Sequence, residues 1–277
     1  MTKILEVRNI EYRHSSKRGL FGKQKTFTLG PISFDMYSGE TVAVIGNNGA
    51  GKSLLAKTLV GAVQVDKGEI VLLSEQDSNT DKPTEVASDT LQTPRRKRVQ
   101  DIRMILQHSA DSLNPAISIG SILTQTLKLN TDLTETARRE KIEETLLKVG
   151  LLHEHYYYYR HMLSDGQQQR VAMARALILD PKIIVADEPF AALDPSVRSQ
   201  TVNLILKLQK ELGLGFVFIS HNIGIVRHIS DRVLVMDKGQ IIEQGITAEV
   251  FVDPQQPLTQ KLIKAHFDLV EKHFAHV

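Results

Sequence analysis

Thr41-Val42-Ala43-Val44-Ile45-Gly46-Asn47-Asn48-Gly49-Ala50-Gly51-Lys52-Ser53 runs from a solid apolar segment through a glycine-rich turn into a helical pattern that opens at about Lys52. An unbroken apolar segment suits a strand covered on both faces, as in a parallel sheet flanked by helices. The turn has the spacing G-x-x-x-x-G-K-S/T, in the strand-to-helix setting that gives this spacing its meaning. Its glycines let backbone N–H groups curl around phosphate oxygens, and the helix N-terminus adds its partial positive charge. Lys52 then reaches the outer phosphates, and the Ser53 hydroxyl is an oxygen ligand for magnesium. Gly46, Asn47, Asn48, Gly49, Ala50, Gly51, Lys52 and Ser53 are therefore expected to bind a nucleotide within an α/β fold.

A second site lies far downstream, where Ile183-Ile184-Val185-Ala186 ends in Asp187-Glu188-Pro189. Two adjacent acids at the end of a buried strand are costly unless a cation or a nucleotide occupies the crevice at the strand's carboxyl edge. Asp187 is expected to hold Mg2+, and Glu188 to be the general base for an attacking water. The plainer reading, two solvated acids at a helix start, loses weight once the phosphate loop is present. One helix upstream stands the polar turn Leu163-Ser164-Asp165-Gly166-Gln167. A serine-glycine turn ahead of a carboxylate pair suggests a nucleotide held between two protein surfaces.

Around these motifs the chain alternates strands and helices. Strands are expected at 4–10 and 32–36 by their period of two. Residues 74–98 are polar and lack any apolar period, which reads as a surface excursion. Its cluster Arg95-Arg96-Lys97-Arg98 lacks interleaved aromatics to stack bases, so it reads as a solvated face and no nucleic-acid partner is expected. From 117 to 180 the pattern is helical: Asp132 with Glu135 resembles a capping box, the helix carries Leu133, Ala137, Leu146 and Leu147, and Gly150 marks its end. A strand at 182–186, a helix at 196–211, a strand at 215–220 and two short strands around 232–244 follow. A last helix starts at Pro257, with Leu258, Leu262, Phe267, Val270 and Phe274 expected as its buried stripe. His153 and His155 could mimic a metal pair, but with no third ligand nearby a solvated loop is the better reading. Tyr156 to Tyr159 reads as packing or surface contact.

Composition bounds the function. A chain of 277 residues with 42% hydrophobic content buries roughly three quarters of its unfolded surface. Lys and Arg total 34 against 32 for Asp and Glu, a net charge of +2, so no global field draws it to nucleic acid or lipid. The absence of cysteine excludes disulfides, thiolate metal sites, iron–sulfur ligation and cysteine nucleophiles. The alternation of apolar and charged residues in Met1 to Arg8 is unlike a signal peptide, and no apolar run approaches the ~20 residues of a membrane helix.

Taken in order, Gly46 to Ser53, Gln107 after a strand, the 163–167 turn with Gln168 to Leu177 behind it, Asp187-Glu188, Ala192-Leu193-Asp194 and His221 resemble the motifs of ABC-transporter ATPase subunits. Ser112-Leu113-Asn114-Pro115 and Pro254-Gln255-Gln256-Pro257-Leu258-Thr259 are similar to the oligopeptide and dipeptide importer branch. The resemblance covers almost the whole chain. It implies one ABC ATPase domain over 1–277: a P-loop NTPase core with a RecA-like parallel sheet and an antiparallel β subdomain, a helical signature subdomain inserted at 108–180, and a C-terminal helix at 255–277. It also implies a head-to-tail dimer with two ATP molecules sandwiched between subunits. On the chain's own site it assigns phosphate binding to Lys52, magnesium to Ser53, Gln107 and Asp187, water activation to Glu188, and γ-phosphate contact to His221. Ser164, Gly166, Gln167 and Asp194 would serve the opposite site, and His14 would stack on adenine, with Tyr12 as the alternative.

The implied partners are two membrane-spanning permease subunits, a second ATPase subunit, a paralogue ahead of a second copy of this chain, and, indirectly, an extracytoplasmic substrate-binding protein. The implied location is the cytoplasmic face of the inner membrane. Peptide uptake is the implied task, with polyamine or haem transport, export instead of uptake, a regulatory subunit of weak or asymmetric hydrolysis, and a soluble ABC protein as alternatives. The chain departs from the family pattern at Asp165, where glycine is usual, at His14, at His108-Ser109 and at Arg160.

Overall fold

The computed structural model describes residues 2–16, 25–73, 100–106, 109–191 and 193–274. Gln107, Ala192 and the whole of the excursion at 74–98, including its basic cluster, lie outside them, as does His108. The centre is a six-stranded sheet of order β5-β6-β7-β3-β8-β9, built from β3 (Thr41–Gly46), β5 (Ile102–Leu106), β6 (Ile183–Asp187), β7 (Gly215–Ile219), β8 (Arg232–Asp237) and β9 (Gln240–Ile246). All its neighbours pair parallel except β9 on β8. The apolar runs are continuous because both faces are covered: Ile184 and Ala186 pack with the helical side, Ile183 and Val185 with a second sheet. Each such Ile or Val contributes roughly 1.5–3 kcal/mol through burial.

That second sheet is antiparallel, of order β2-β1-β4, from β1 (Lys3–Ser16), β2 (Lys25–Tyr37) and β4 (Lys67–Leu72). Both β1 and β2 run longer than the period of two predicts, and β4, half-buried and short, escapes that test. The helix α1 (Lys52–Leu59) packs between the sheets through Leu55, Ala56 and Leu59.

The stretch from 117 to 180 is helical as expected: α2 (Ile119–Asn130), α3 (Glu135–Lys148), two single turns at His153–Tyr157 and Arg160–Met162, and α4 (Asp165–Leu177). The cap of α3 is Thr134, whose hydroxyl accepts from the Ala137 N–H at 3.3 Å, rather than Asp132. Leu133 stands before the helix, and Leu147 is 46% exposed while Leu146 is fully buried. Gly150, at φ 75°, ends this segment.

Beyond β6 run α5 (Pro195–Leu212), α6 (Ile223–Ile229), α7 (Thr247–Val252) and α8 (Pro257–Phe274). Of the stripe expected on α8, Leu262 packs against the core, but the most buried of the helix's described positions are Thr259 and Ile263. Glu243 of β9 accepts from the Gln255 and Gln256 N–H groups and from the Thr259 hydroxyl, which turns Thr259 and Ile263 inward and leaves Phe267 39% exposed. Val270 and Phe274 lie where side chains are not described. Among the described residues no helix is long and apolar enough to cross a membrane.

Candidate functional site

Parallel pairing aligns the carboxyl ends of the central strands. Leu106 stands beside Asp187, Asp187 beside Ile219, and Gly46 beside Met236. The phosphate loop, the Asp187-Glu188 pair and the Ser220-His221 turn therefore open onto one edge, where a switch in strand order leaves a crevice.

Two glycines shape the loop. Gly46 has φ 147°, and a Cβ there would meet the Met236 carbonyl oxygen at 2.1 Å. Gly51, the N-cap of α1 at φ 101°, has no side chain to offer the first-turn N–H groups. They remain donors for an anion. Lys52 is 9% exposed as a residue, and its ammonium donates to the carbonyls of Gly46 at 2.8 Å and Asn47 at 3.0 Å. Burial lowers its pKa, against the opposing pull of Glu188 and Asp187.

A cavity of about 450 Å³ opens at this loop, lined by Asn48, Gly49, Lys52 and Ser53 together with Asp187 and Glu188. His14 lines it as well and Tyr12 does not; the two rings lie 6.4 Å apart, inclined by 30°. Phe27 also lines the cavity, and it was not among the residues expected from sequence. It pairs with His14 across β1 and β2 and packs over Gly51. The available signal was the alternation Thr26-Phe27-Thr28-Leu29.

Glu188 adopts φ 49°, a left-handed conformation that costs a non-glycine residue on the order of 1 kcal/mol or more. Its N–H donates to the Ile219 carbonyl at 3.0 Å, and its Oε1 lies 2.9 Å from Nδ1 of His221. The carboxylate side chain is 20% exposed and the imidazole 68%. The turn thus lifts Glu188 off the strand axis toward the cavity while His221 fixes one of its oxygens. Asn222 follows as the cap of α6, accepting from the Ile225 N–H at 3.1 Å.

The 163–167 turn lies elsewhere. Ser164 caps α4 in a reciprocal box: its hydroxyl accepts from the Gln167 N–H at 3.3 Å, and Gln167 Oε1 accepts from the Ser164 N–H at 3.0 Å. Asp165 is exposed at the first helical position, where the helix dipole favours a carboxylate. Ser164, Asp165, Gly166, Gln167 and Asp194 line a polar depression of about 480 Å³ that shares no lining residue with the phosphate-loop cavity. Asp194 caps α5 from there; the Val197 N–H, then the Ser196 hydroxyl, hold its carboxyl below the usual range. Arg160 bridges Gln168 and Asp111, steadying the segment before the turn.

A cavity of about 510 Å³, lined by Lys3, Leu73, Thr145 and Leu214 among others, opens at the amino ends of β6 and β7. It contains none of the residues expected to bind nucleotide or magnesium, so size alone is no guide to the chemistry here.

Residues 29–191 match the protein family described as ABC transporter. The chain is 44% identical over 264 residues to the "Putrescine export system ATP-binding protein SapF" of Escherichia coli (strain K12), covering 95% of this chain and 94% of that protein. It is equally similar, at 44% identity with 95% and 94% covered, to the "Peptide transport system ATP-binding protein SapF" of Salmonella typhimurium (strain LT2). Among solved structures, cbiO1 from Clostridium perfringens, part of the ABC transporter complex cbiONQ, superposes with a TM-score of 0.70 at 30% identity, covering 91% of this chain and 92% of that one.

Proposed function

The chain belongs to the ABC transporter family as an ATP-binding, ABC-type ATPase subunit, and from that premise we propose that it powers transport, with peptide uptake as its task, by hydrolysing ATP between two subunits docked head to tail. The observation that carries this reading is the pair of separate half-sites. The phosphate-loop cavity and the 163–167 depression share no lining residue, so the phosphate-binding loop and the serine-glycine turn stand as separate surfaces, which a head-to-tail pairing of subunits would bring to the same nucleotide.

Within its own half-site, Lys52 and the loop N–H groups bind the phosphates, and His14 with Phe27 receives the adenine. Oxygen ligands suit magnesium, and the Ser53 hydroxyl and the Asp187 carboxylate meet in one cavity, so the donor set fits the ion. Gln107 is assigned to the same ion by the family pattern alone. When bound, magnesium supplies neutralisation of charge on the β and γ phosphates. Glu188 takes the proton of the attacking water, and His221, at 2.9 Å from it, keeps that carboxylate aimed and contacts the γ-phosphate. Ser164, Gly166, Gln167 and Asp194 complete the partner's site. The partner subunit is a paralogue, and two permease subunits at the cytoplasmic face of the membrane receive the motion.

A second reading, polyamine transport, is favoured by the name of the Escherichia coli relative. The test is to purify the chain from native membranes with its bound subunits, reconstitute the complex in vesicles, and follow labelled peptide and labelled putrescine. ATP-dependent peptide movement supports the first reading. Putrescine movement alone replaces it with the second, and an ATPase free of membrane subunits sinks both.

Asp165 gives a further expected outcome. Its backbone is helical and unstrained, so what it brings is a charge in the depression facing the partner's nucleotide. At near-surface dielectric with partial screening, a like charge there costs the bound triphosphate about 1 kcal/mol. Asp165→Asn, which keeps the side chain and removes the charge, should raise ATPase activity of the complex roughly fivefold. An unchanged rate would mean that the carboxylate points away from the phosphates.

A further inference from the structure

We propose that His155 is a positioning residue for the signature turn: its imidazole holds the Gln167 amide in the orientation that caps Ser164, and so presets the face this chain offers to a second subunit's nucleotide. The inference rests on the reading of 163–167 given above and extends it to a residue outside the motif.

His155 sits in the single turn His153–Tyr157 and is 5% exposed, with its ring 4.9 Å from that of Tyr158. Its Nε2 lies 3.2 Å from Nε2 of Gln167. The chemistry of the neighbours fixes who donates. A peptide N–H can only donate, so the oxygen of the Gln167 amide must face Ser164, where the two stand 3.0 Å apart. Its NH2 group therefore faces His155. An amide NH2 also only donates, so the imidazole Nε2 must accept and the ring proton belongs on Nδ1.

From Nδ1 that proton reaches the Leu152 carbonyl at 3.2 Å. The Leu152 N–H lies 3.0 Å from the same Nδ1 and would prefer the other tautomer. That tautomer makes this one bond, sets two donors against each other at Gln167 and gives up the bond to the Leu152 carbonyl, whereas the Nδ1–H form sets donors against each other at the Leu152 N–H and keeps the bonds to Gln167 and to that carbonyl. With one such conflict in each form, two bonds against one decide for Nδ1–H.

The consequence reaches the depression. With Nε2 as acceptor, Gln167 has its oxygen on Ser164 and its nitrogen on His155, and the capping box has one stable arrangement. Without that acceptor the amide is free to rotate, the Ser164 N–H loses its partner, and the first turn of α4 loosens where Ser164, Gly166 and Gln167 face outward. Gln167 and Ser164 touch the nucleotide of the partner; His155 acts only through them.

Two substitutions separate this role from local support of the turn. In His155→Gln the side-chain amide extends to where Nε2 stood and can accept from Gln167. In His155→Asn the amide matches the Nδ1 end, serving Leu152, and stops short of Gln167. In the complex purified with its membrane subunits, Asn should lower kcat about five- to tenfold, the scale of one hydrogen bond, while KM for ATP changes less than twofold. Gln should keep at least half of the parent rate. A fluorescent ATP analogue should bind the chain's own phosphate loop equally in both, and their Tm values should agree. Equal rates in the two variants, whether both high or both low, overturn the proposal, as does a lower rate in Gln than in Asn. Ser164→Ala keeps the outcomes distinct. If it leaves the rate unchanged, the reading of the 163–167 turn falls and this inference with it. If it lowers the rate while His155→Asn does not, only the inference falls.

Discussion

Glu188→Gln should bind ATP as the parent chain does and hydrolyse it at least about 100-fold more slowly, the scale on which a positioned general base contributes. The substitution is nearly isosteric. The amide oxygen can still accept from Nδ1 of His221, where the parent carboxylate lies 2.9 Å away, and the backbone N–H still donates to the Ile219 carbonyl. The left-handed φ of 49° is no harder for glutamine than for glutamate. Fold and nucleotide affinity therefore stay, and what disappears is the capacity to take a proton. The check is a nucleotide titration beside a phosphate-release assay on the same preparation. Turnover above a tenth of the parent rate would transfer the proton to another group. A collapse of affinity would mean instead that the carboxylate is needed to hold the site together. His221→Ala adds a second observation, because it frees the carboxylate without removing it. It should slow release less than Glu188→Gln does.

The parts of this site that could be read from sequence are those in which chemistry and backbone are contiguous. Gly46 to Ser53 carries its own strand, turn and helix, and Asp187-Glu188 ends a run whose apolar character already shows that both faces are covered. Phe27 was out of reach for the opposite reason. It joins the cavity only because β1 pairs antiparallel with β2 in the register His14 to Phe27, and that register follows from which faces of the two sheets are buried. The stripe of α8 was met only in part, at Leu262 and not at Phe267, for a related cause. A hydrophobic pattern gives the period, but the rotation of the helix is set by Glu243, which binds the start of α8 and draws Thr259 inward. The short helices at Ile223–Ile229 and Thr247–Val252 are too brief for a period to emerge.

The 163–167 turn shows how a structural reading and a functional one can share atoms. Ser164 and Gln167 form a capping box by spacing alone, a device found at many helix starts. What sets this one apart is that the same turn lines a polar depression with Asp194, another cap, so two helix N-termini meet at one surface. Each brings partly unsatisfied N–H groups and a positive dipole end, which is the electrostatic requirement for a phosphate approaching from outside. Asp165 and Asp194 temper that field.

Lys52→Ala should weaken ATP binding at least about 30-fold, because the ammonium's charge-assisted bonds to phosphate contribute about 2–3 kcal/mol. In the free chain the ammonium is bonded to the carbonyls of Gly46 and Asn47, so the nucleotide must draw it away from ready partners, and the net effect stays at this scale. The pH dependence follows from the same geometry. Burial lowers the Lys52 pKa in the free chain, and a triphosphate beside it raises the value. Between the two pKa values binding takes up a proton, so affinity should fall as pH rises through that alkaline window, and the slope should vanish in Lys52→Ala. A calorimetric titration at stepped pH tests both statements. Affinity within threefold of the parent would leave the backbone N–H groups and the helix dipole as the main phosphate binders. A slope that persists in the variant would assign the proton to a different group. Because Lys52 also spans Gly46 and Asn47 from within, the variant should be checked for loop order by its Tm, and an unchanged Tm with lost affinity isolates the phosphate contact.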